Sequence, residues 1–336
     1  MKTALIDMVI DPKALERLKA VPLQVHLADK HHEEPLPLPE QWLAEADYLL
    51  CSELPPNFEK IRNLKLLQIS SAGYSQLCGR GLSEKGIIAC NALGVYDVPI
   101  GEWTLAMMIN LARDMRQMIR NQEAGVWERD ARFQLEIRDQ TLGIWGYGGI
   151  GREAARLAKQ IGLKVHVLLR GPMKNRSGIY CVPGTGDSEG KLPDKVFQLD
   201  QKEQFLSQLD YLLLSMPLTN ANRGIVGEAE LRALPETAFV LNPARGPLID
   251  EQALLKALNE SWIAGAALDT HYHYPMPPDH PLWKFPNVIM TPHISGSALS
   301  PHFASRNWDI FIQNVQRHLD GQPMLNQLTA KQLTGD

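Results

Sequence analysis

Cysteine is scarce in this chain: there are four, at Cys51, Cys78, Cys90 and Cys181, and no two share CxxC spacing. That scarcity excludes a disulfide framework and a cysteine-based zinc site, and it points to a cytoplasmic protein with reduced thiols. Charge of one sign is lacking as well, since 34 Lys and Arg stand against 38 Asp and Glu for a net charge of −4. So balanced a surface carries no electrostatic footprint for nucleic acid or an anionic membrane. No apolar run nears the roughly 18 residues that a membrane-spanning helix needs. The longest candidate, WTLAMMINLA, falls far short. The opening MKTALIDMVIDP is apolar but broken by Asp7 and Asp11, so it reads as a strand and turn rather than a signal peptide. There is no internal repeat.

What is present is ordinary globular composition, 44% hydrophobic and 21% charged, over 336 residues, too many for one comfortable core. In the first hundred residues the apolar runs TALIDMVI, LQVHLA, ADYLLCS, LKLLQIS and GIIACNA read as strands. DPKALERLKAV reads as a helix with Asp11 as N-cap and Pro12 in its first turn. One long helix is expected from about Pro99 to Gln122, its first half apolar nearly all round and therefore buried. Strands and helices then alternate again: TLGIW, a helix from REAARLAKQIG, then KVHVLL, DYLLLSMP, AFVLNPA, GAALD and NVIMTPH. A final helix in SALSPHFASRNWDIFIQNVQRHLDG is expected to return to the first domain. The pattern predicts an α/β protein of two Rossmann-like, doubly wound parallel-sheet domains. Residues 1–99 plus 293–336 are expected to form one, flavodoxin-like domain, and residues 100–292 a second domain inserted into it. The Gly-, Pro- and charge-rich stretch 170–195 reads as an exposed excursion.

GYGGIG at 146–151 matches G-x-G-x-x-G between a strand and an amphipathic helix, the context that gives the pattern meaning. Gly146 permits the tight turn, Gly148 lets the backbone approach a pyrophosphate, and Gly151 lets helix and strand touch. Gly149 and Ile150 open the helix, whose free N–H groups suit phosphates. The acidic residue expected about 20 positions on, for a ribose 2′-hydroxyl, is missing. Leu169 stands there, followed by Arg170, Lys174 and Arg176. NADP(H) is therefore expected over NAD(H), with Arg170 and Lys174 on the 2′-phosphate.

MPLTNANRGIVGEAEL (216–231), FVLNPARGPLIDEQAL (239–254), GAALD (265–269) and TPHISG (291–296) follow in order. With the glycine motif, they make the chain resemble the D-2-hydroxyacid dehydrogenase family over nearly its whole length. The resemblance implies hydride transfer between NAD(P)H and a small 2-keto or D-2-hydroxy acid, by a homodimer. It assigns Arg245 to the substrate carboxylate and keto oxygen, and His293 to proton transfer. It sets Asp269 near the nicotinamide carboxamide and Pro217, Thr219 and Asn242 in segments that line the cofactor. Ala72 and Gly73, in SSAGYSQL (70–77), match the loop whose backbone N–H groups bind the carboxylate.

One departure concerns the histidine's partner. The family carries a glutamate before a proline in the loop after GAALD, where it holds up the pKa of the catalytic histidine. Here that place falls on Tyr274, in HYHYP. An opposite charge within about 4–6 Å favours the imidazolium by about one pH unit or more, so His293 is expected to titrate below its counterparts. Formate dehydrogenases resemble this family and carry an uncharged amide here, so the missing carboxylate is compatible with hydride chemistry. Three substitutes are open: the Tyr274 hydroxyl as a neutral partner, Asp279 or His280 from later in the loop, and His271 or His273 toward the substrate. The same loop also reads as an aromatic plug. Its histidines lack the spacing of a metal site. Two other functions stand beside the reductase, a non-catalytic NAD(P)-sensing regulator and a dehydrogenase whose hydride donor is not a 2-hydroxy acid. The retained arginine and histidine favour the reductase.

Overall fold

The computed structural model describes residues 1–28, 35–130 and 134–334. These residues fall into two compact units, one of Met1–Tyr96, Ser177–Val182 and Ala298–Asp336, the other of Asp97–Arg176 and Pro183–Ser297.

The first unit holds strands β1 (Lys2–Asp7), β2 (Leu23–Leu27), β3 (Tyr48–Cys51), β4 (Leu66–Ile69) and β5 (Ile88–Cys90), all parallel, in the order β2-β1-β3-β4-β5. Every residue of β3 and β4 is buried, as expected of a parallel sheet covered on both faces. Helix α1 (Pro12–Lys19) starts where the sequence marks it, the Asp11 carboxylate accepting from the N–H of Lys13 and Ala14 at 3.0 Å each. A one-turn helix, α2 (Glu40–Glu45), precedes β3.

The second unit opens with α3 (Asp97–Ala112) and α4 (Met115–Ala124) in place of the single expected helix. The break lies at Asp114, whose φ of 46° is left-handed, a conformation that aspartate tolerates better than most residues. Then come β6 (Thr141–Trp145), α5 (Gly149–Gln160), β7 (Lys164–Leu169), β8 (Lys195–Gln198), α6 (Lys202–Leu206), β9 (Tyr211–Leu214), α7 (Glu228–Ala233), β10 (Phe239–Asn242), α8 (Glu251–Asn259), β11 (Gly265–Leu268) and β12 (Val288–Met290). The parallel sheet runs β12-β11-β10-β9-β6-β7-β8. The chain thus winds outward from β6 through β7 and β8, crosses back to β9, and winds the other way. The reversal makes a topological switch point between β6 and β9, where open α/β sheets bind ligands at the strands' carboxyl ends. Gly101 of α3 lies against α5, where a Cβ would come within 2.8 Å of the Glu153 side chain.

The chain returns to the first unit as α9 (Pro301–Leu319) and a final turn, α10 (Ala330–Thr334). Buried Trp308, Phe311 and Val315 of α9 pack with Ala4, Ile6, Leu50 and Leu66 of the sheet. The Trp308 indole N–H donates to the carbonyl of Val9 at 2.8 Å. The 170–195 stretch is not exposed throughout, because Tyr180 is buried in the first unit among Ala92, Val95 and Ile310. The backbone of Gly94 accommodates it, since any Cβ there would lie 2.1 Å from the Tyr180 carbonyl oxygen. Among the described residues no helix is long and apolar enough to cross a membrane.

Candidate active site

The glycine turn between β6 and α5 has its shape because side chains are shut out of it. Gly146 has a φ of 93°, and a Cβ on it would press on Ser215 and Met216 at 3.0 Å. A Cβ on Gly151 would meet the Gly146 carbonyl oxygen at 2.7 Å, the Ser215 hydroxyl at 2.8 Å and Ile144 at 2.9 Å. Helix and strand therefore touch, and the first N–H groups of α5, at Gly149, Ile150 and Gly151, have no partners within the helix. This cradle fits the pyrophosphate of a dinucleotide. Leu169 ends β7, and beyond it Arg170 and Lys174 are exposed.

The segment after β7 is anchored by two charged residues of α5 that the sequence did not single out. Arg152, 2% exposed, donates to carbonyls on both arms, Lys174 at 2.5 Å and Asp187, and also to the Tyr147 carbonyl at 3.2 Å. Its guanidinium lies 4.8 Å from the Tyr147 ring centre, and the Tyr147 hydroxyl donates to the Asp187 carboxylate at 2.7 Å. Burial and that carboxylate push the Tyr147 phenol far above its ordinary range. Glu153, 1% exposed, accepts from the Gly186 N–H at 2.6 Å and pairs with Arg156. Charged residues on an amphipathic helix ordinarily read as its wet face, so no local signal reveals them.

The remaining candidates of this unit follow the carboxyl ends of neighbouring strands. After β9 the Pro217 carbonyl accepts from the Asn222 amide at 2.8 Å, and that side chain's oxygen accepts from the Thr219 N–H at 2.6 Å. At the end of β10, buried Asn242 clasps the next turn. Its oxygen accepts from Ala244 and Arg245 N–H at 3.1 and 3.3 Å, and its amide donates to the Arg245 carbonyl at 2.9 Å. The Arg245 side chain is left exposed, with Nη1 donating to the Ala244 carbonyl at 2.6 Å. Gly246 has no room for a side chain, because a Cβ would sit 2.5 Å from the His271 backbone.

Asp269, fully buried after β11, holds the segment that carries His293. Its carboxylate accepts from the Thr291 hydroxyl at 2.6 Å, Ile294 N–H at 2.9 Å, Ser295 N–H at 3.1 Å and the Ser295 hydroxyl. Four donors fill the capacity of a carboxylate. The Trp103 indole N–H reaches the same Thr291 hydroxyl at 3.1 Å. His293 itself donates its N–H to the Asp269 carbonyl at 2.8 Å and is held at a φ of 58°, a left-handed conformation uncommon outside glycine. The atoms crowding the His293 ring pull its pKa below the ordinary value. Asp269 opposes that shift, while Arg245 and His271 reinforce it.

In the loop after β11 the side chains part company. His271 is 7% exposed, its Nε2 is 2.8 Å from the Thr291 carbonyl oxygen, and its Nδ1 is buried with no hydrogen-bond partner. A carbonyl only accepts, so Nε2 bears the proton. The Tyr274 ring lies 5.6 Å from that of His293 at an angle of 55°, while its hydroxyl accepts from the His271 N–H at 3.2 Å. His280 is engaged by Glu251 at 2.7 Å, and His273 and Asp279 are exposed. Among the described residues no group of three or more His, Cys, Asp or Glu is placed to hold a metal ion. Ala72 and Gly73 follow β4 in the other unit, their carbonyls accepting from Asn91 and Ser71 at 2.8 Å each.

Comparison with known proteins gives consistent matches. The family profile described as D-isomer specific 2-hydroxyacid dehydrogenase, NAD binding domain, matches residues 105–295. A glyoxylate reductase of Thermofilum pendens is 30% identical over 241 residues, which are 70% of this chain and 67% of that protein. Among solved structures, a D-isomer specific 2-hydroxyacid dehydrogenase family protein of Aeromonas salmonicida superposes with a TM-score of 0.76 at 25% identity, covering 98% of this chain and 99% of that one. A D-isomer specific 2-hydroxyacid dehydrogenase of Xanthobacter autotrophicus Py2, in complex with NADPH and MES, gives a TM-score of 0.73 at 25% identity, with the same two coverages.

Proposed function

Because the chain belongs to the D-isomer specific 2-hydroxyacid dehydrogenase family, we propose that it is an NADPH-preferring reductase of small 2-keto acids, glyoxylate among the first to test. The observation that carries the reading is the presentation of Arg245 and His293 at the carboxyl edge of the sheet that bears the glycine turn. A nicotinamide dinucleotide bound on that turn supplies the hydride. Gly146, Gly148 and Gly151 would admit its pyrophosphate, with Pro217, Thr219, Asn242 and Asp269 lining the same edge. Arg245, planar and always charged, holds the substrate carboxylate and polarises the keto oxygen. His293, as imidazolium, gives its proton to the keto oxygen as C2 is reduced, and is left neutral. Ala72 and Gly73 offer backbone N–H groups to the carboxylate in the same reading.

The preference for NADPH is supported by Leu169 where an acidic residue would repel a 2′-phosphate, and by exposed Arg170 and Lys174 beyond it. The proposal extends to a cytoplasmic homodimer, on the family likeness. The test is NADPH oxidation against glyoxylate and other small 2-keto acids at mildly acidic pH, with NADH in parallel. In His293→Ala the turnover number should fall by roughly 10²–10⁴-fold, and in Arg245→Ala kcat/KM should collapse through both terms. Undiminished turnover in His293→Ala overturns the assignment. Tight NADPH binding with no turnover on any acid turns the reading to a sensor.

A further inference from the structure

Two side chains at the glycine turn have no place in the reading so far. Gly149 opens α5, and a Cβ built on it would lie 1.8 Å from one Asp97 carboxylate oxygen and 2.5 Å from the other. The carboxylate of Asp97 therefore lies against the N-terminus of α5, the position that favours an anion. The Arg176 guanidinium stands beside it, with Nη2 3.7 Å from the Asp97 carboxylate and Nη1 3.9 Å from where a Cβ on Gly148 would be. Arg176 is held there by design of the chain around it. Its N–H donates to the Ser188 carbonyl at 3.2 Å, inside the segment that Arg152 and Glu153 anchor. Both side chains are mostly buried, at 20% and 15% exposed.

Resting on the proposal that this turn takes a nicotinamide dinucleotide, we propose that Asp97 and Arg176 form an exchangeable ion pair at the pyrophosphate site. In the free protein Asp97 supplies the anion. When a dinucleotide binds, Arg176 transfers from Asp97 to the pyrophosphate. The pyrophosphate is common to NADPH and NADH, so Arg176 serves both cofactors alike. This separates it from Arg170 and Lys174, which face the 2′-phosphate question alone. The pyrophosphate as a whole carries two negative charges where the carboxylate carries one, so it can draw the guanidinium from Asp97 while offering the same bidentate geometry.

The experiment is equilibrium binding of NADPH, NADH, ADP and adenosine, followed by cofactor fluorescence or calorimetry. Arg176→Gln should weaken NADPH, NADH and ADP by a similar factor, roughly tenfold, and leave adenosine unaffected. Asp97→Asn removes the competing anion and should tighten the same three ligands severalfold. That gain of affinity cannot come from a damaged fold, and it keeps the proposal testable if Arg176→Gln is unstable. Arg170 and Lys174 replaced together by glutamine provide the contrast, a loss for NADPH alone. Unchanged ADP affinity in Arg176→Gln, or a loss confined to NADPH, overturns the role of Arg176. Weaker binding in Asp97→Asn overturns the exchange. Native protein that binds neither dinucleotide defeats the functional proposal instead, an outcome distinct from both.

Discussion

Replacing Tyr274 by glutamate would put a carboxylate where the structure sets a phenol ring. The Tyr274 ring centre is 5.6 Å from that of His293, and a glutamate carboxyl carbon reaches about as far from Cα as that ring centre does. Tyr274 is 59% exposed, so an effective dielectric constant of about 40 is appropriate, between a surface pair and bulk water. Coulomb's law at this separation gives about 1.5 kcal/mol in favour of the imidazolium, or about one pH unit. In the native protein, crowding by neighbouring atoms is the main cause of the depressed His293 pKa, with Asp269 opposing and Arg245 and His271 reinforcing it. In the proposed reduction His293 acts as the protonated ring, so kcat/KM falls as pH rises through that pKa. Raising the pKa therefore moves the falling limb to higher pH. The assay is kcat/KM for keto-acid reduction from mildly acidic to mildly alkaline pH, for the native enzyme, Tyr274→Glu and Tyr274→Phe. The phenylalanine variant keeps the ring and should leave the limb in place. A folded Tyr274→Glu enzyme with an unmoved limb refutes the placement of residue 274 beside the imidazole, and a shift to lower pH refutes the sign.

Two further outcomes follow from close packing. Gly246→Ala forces a methyl against the His271 backbone at 2.5 Å, which should cost about 1–3 kcal/mol in denaturant unfolding and lower kcat/KM by displacing Arg245. Unchanged stability and activity would show that the turn yields freely. Arg152→Ala removes the donor shared by the carbonyls of Lys174 and Asp187, a loss of about 1.5–3 kcal/mol for a charged hydrogen-bonding group. Trypsin should then cut between residues 170 and 192 faster than in the native protein, and an unaltered digestion pattern would mean that the segment holds itself.

The strands and the glycine turn are legible in the sequence because their signals are local. Buried runs such as YLLL and FVLN are continuous and apolar, and glycine occurs where a Cβ would strike Ser215 or the Gly146 carbonyl. What is illegible is tertiary. Helix periodicity continues straight through Asp114, since a single left-handed residue leaves no mark on composition. Strand β8 and helix α6 are too short for their periods to be counted. Arg152 and Glu153 read as the wet face of α5 until the segment folded over them is seen. Asp97 and Arg176 meet across a long stretch of chain, and neither has a neighbour in sequence that announces the pairing. Of the catalytic candidates, Arg245 and His293 were visible only through their motifs. The left-handed backbone of His293 was not visible at all, and Asp269, singled out for the cofactor, was not legible as the carboxylate that pins that segment.

The burial of Tyr180 bears on how this chain can be cut and spliced. Residues 177–182 lie in the middle of the cofactor unit's sequence yet supply a side chain to the interior of the other unit. A glycine- and proline-rich surface segment would ordinarily be the first choice for deletion or for inserting a tag. Here, trimming it would empty a space lined by Ala92, Val95 and Ile310, a defect worth about 3 kcal/mol or more by comparison with other large-to-small aromatic truncations. One stretch of chain within the second unit's sequence thus completes the first unit's core. Exchanging residues 97–297 as one block would therefore remove a side chain from the core of the unit left behind, unless Tyr180 were kept.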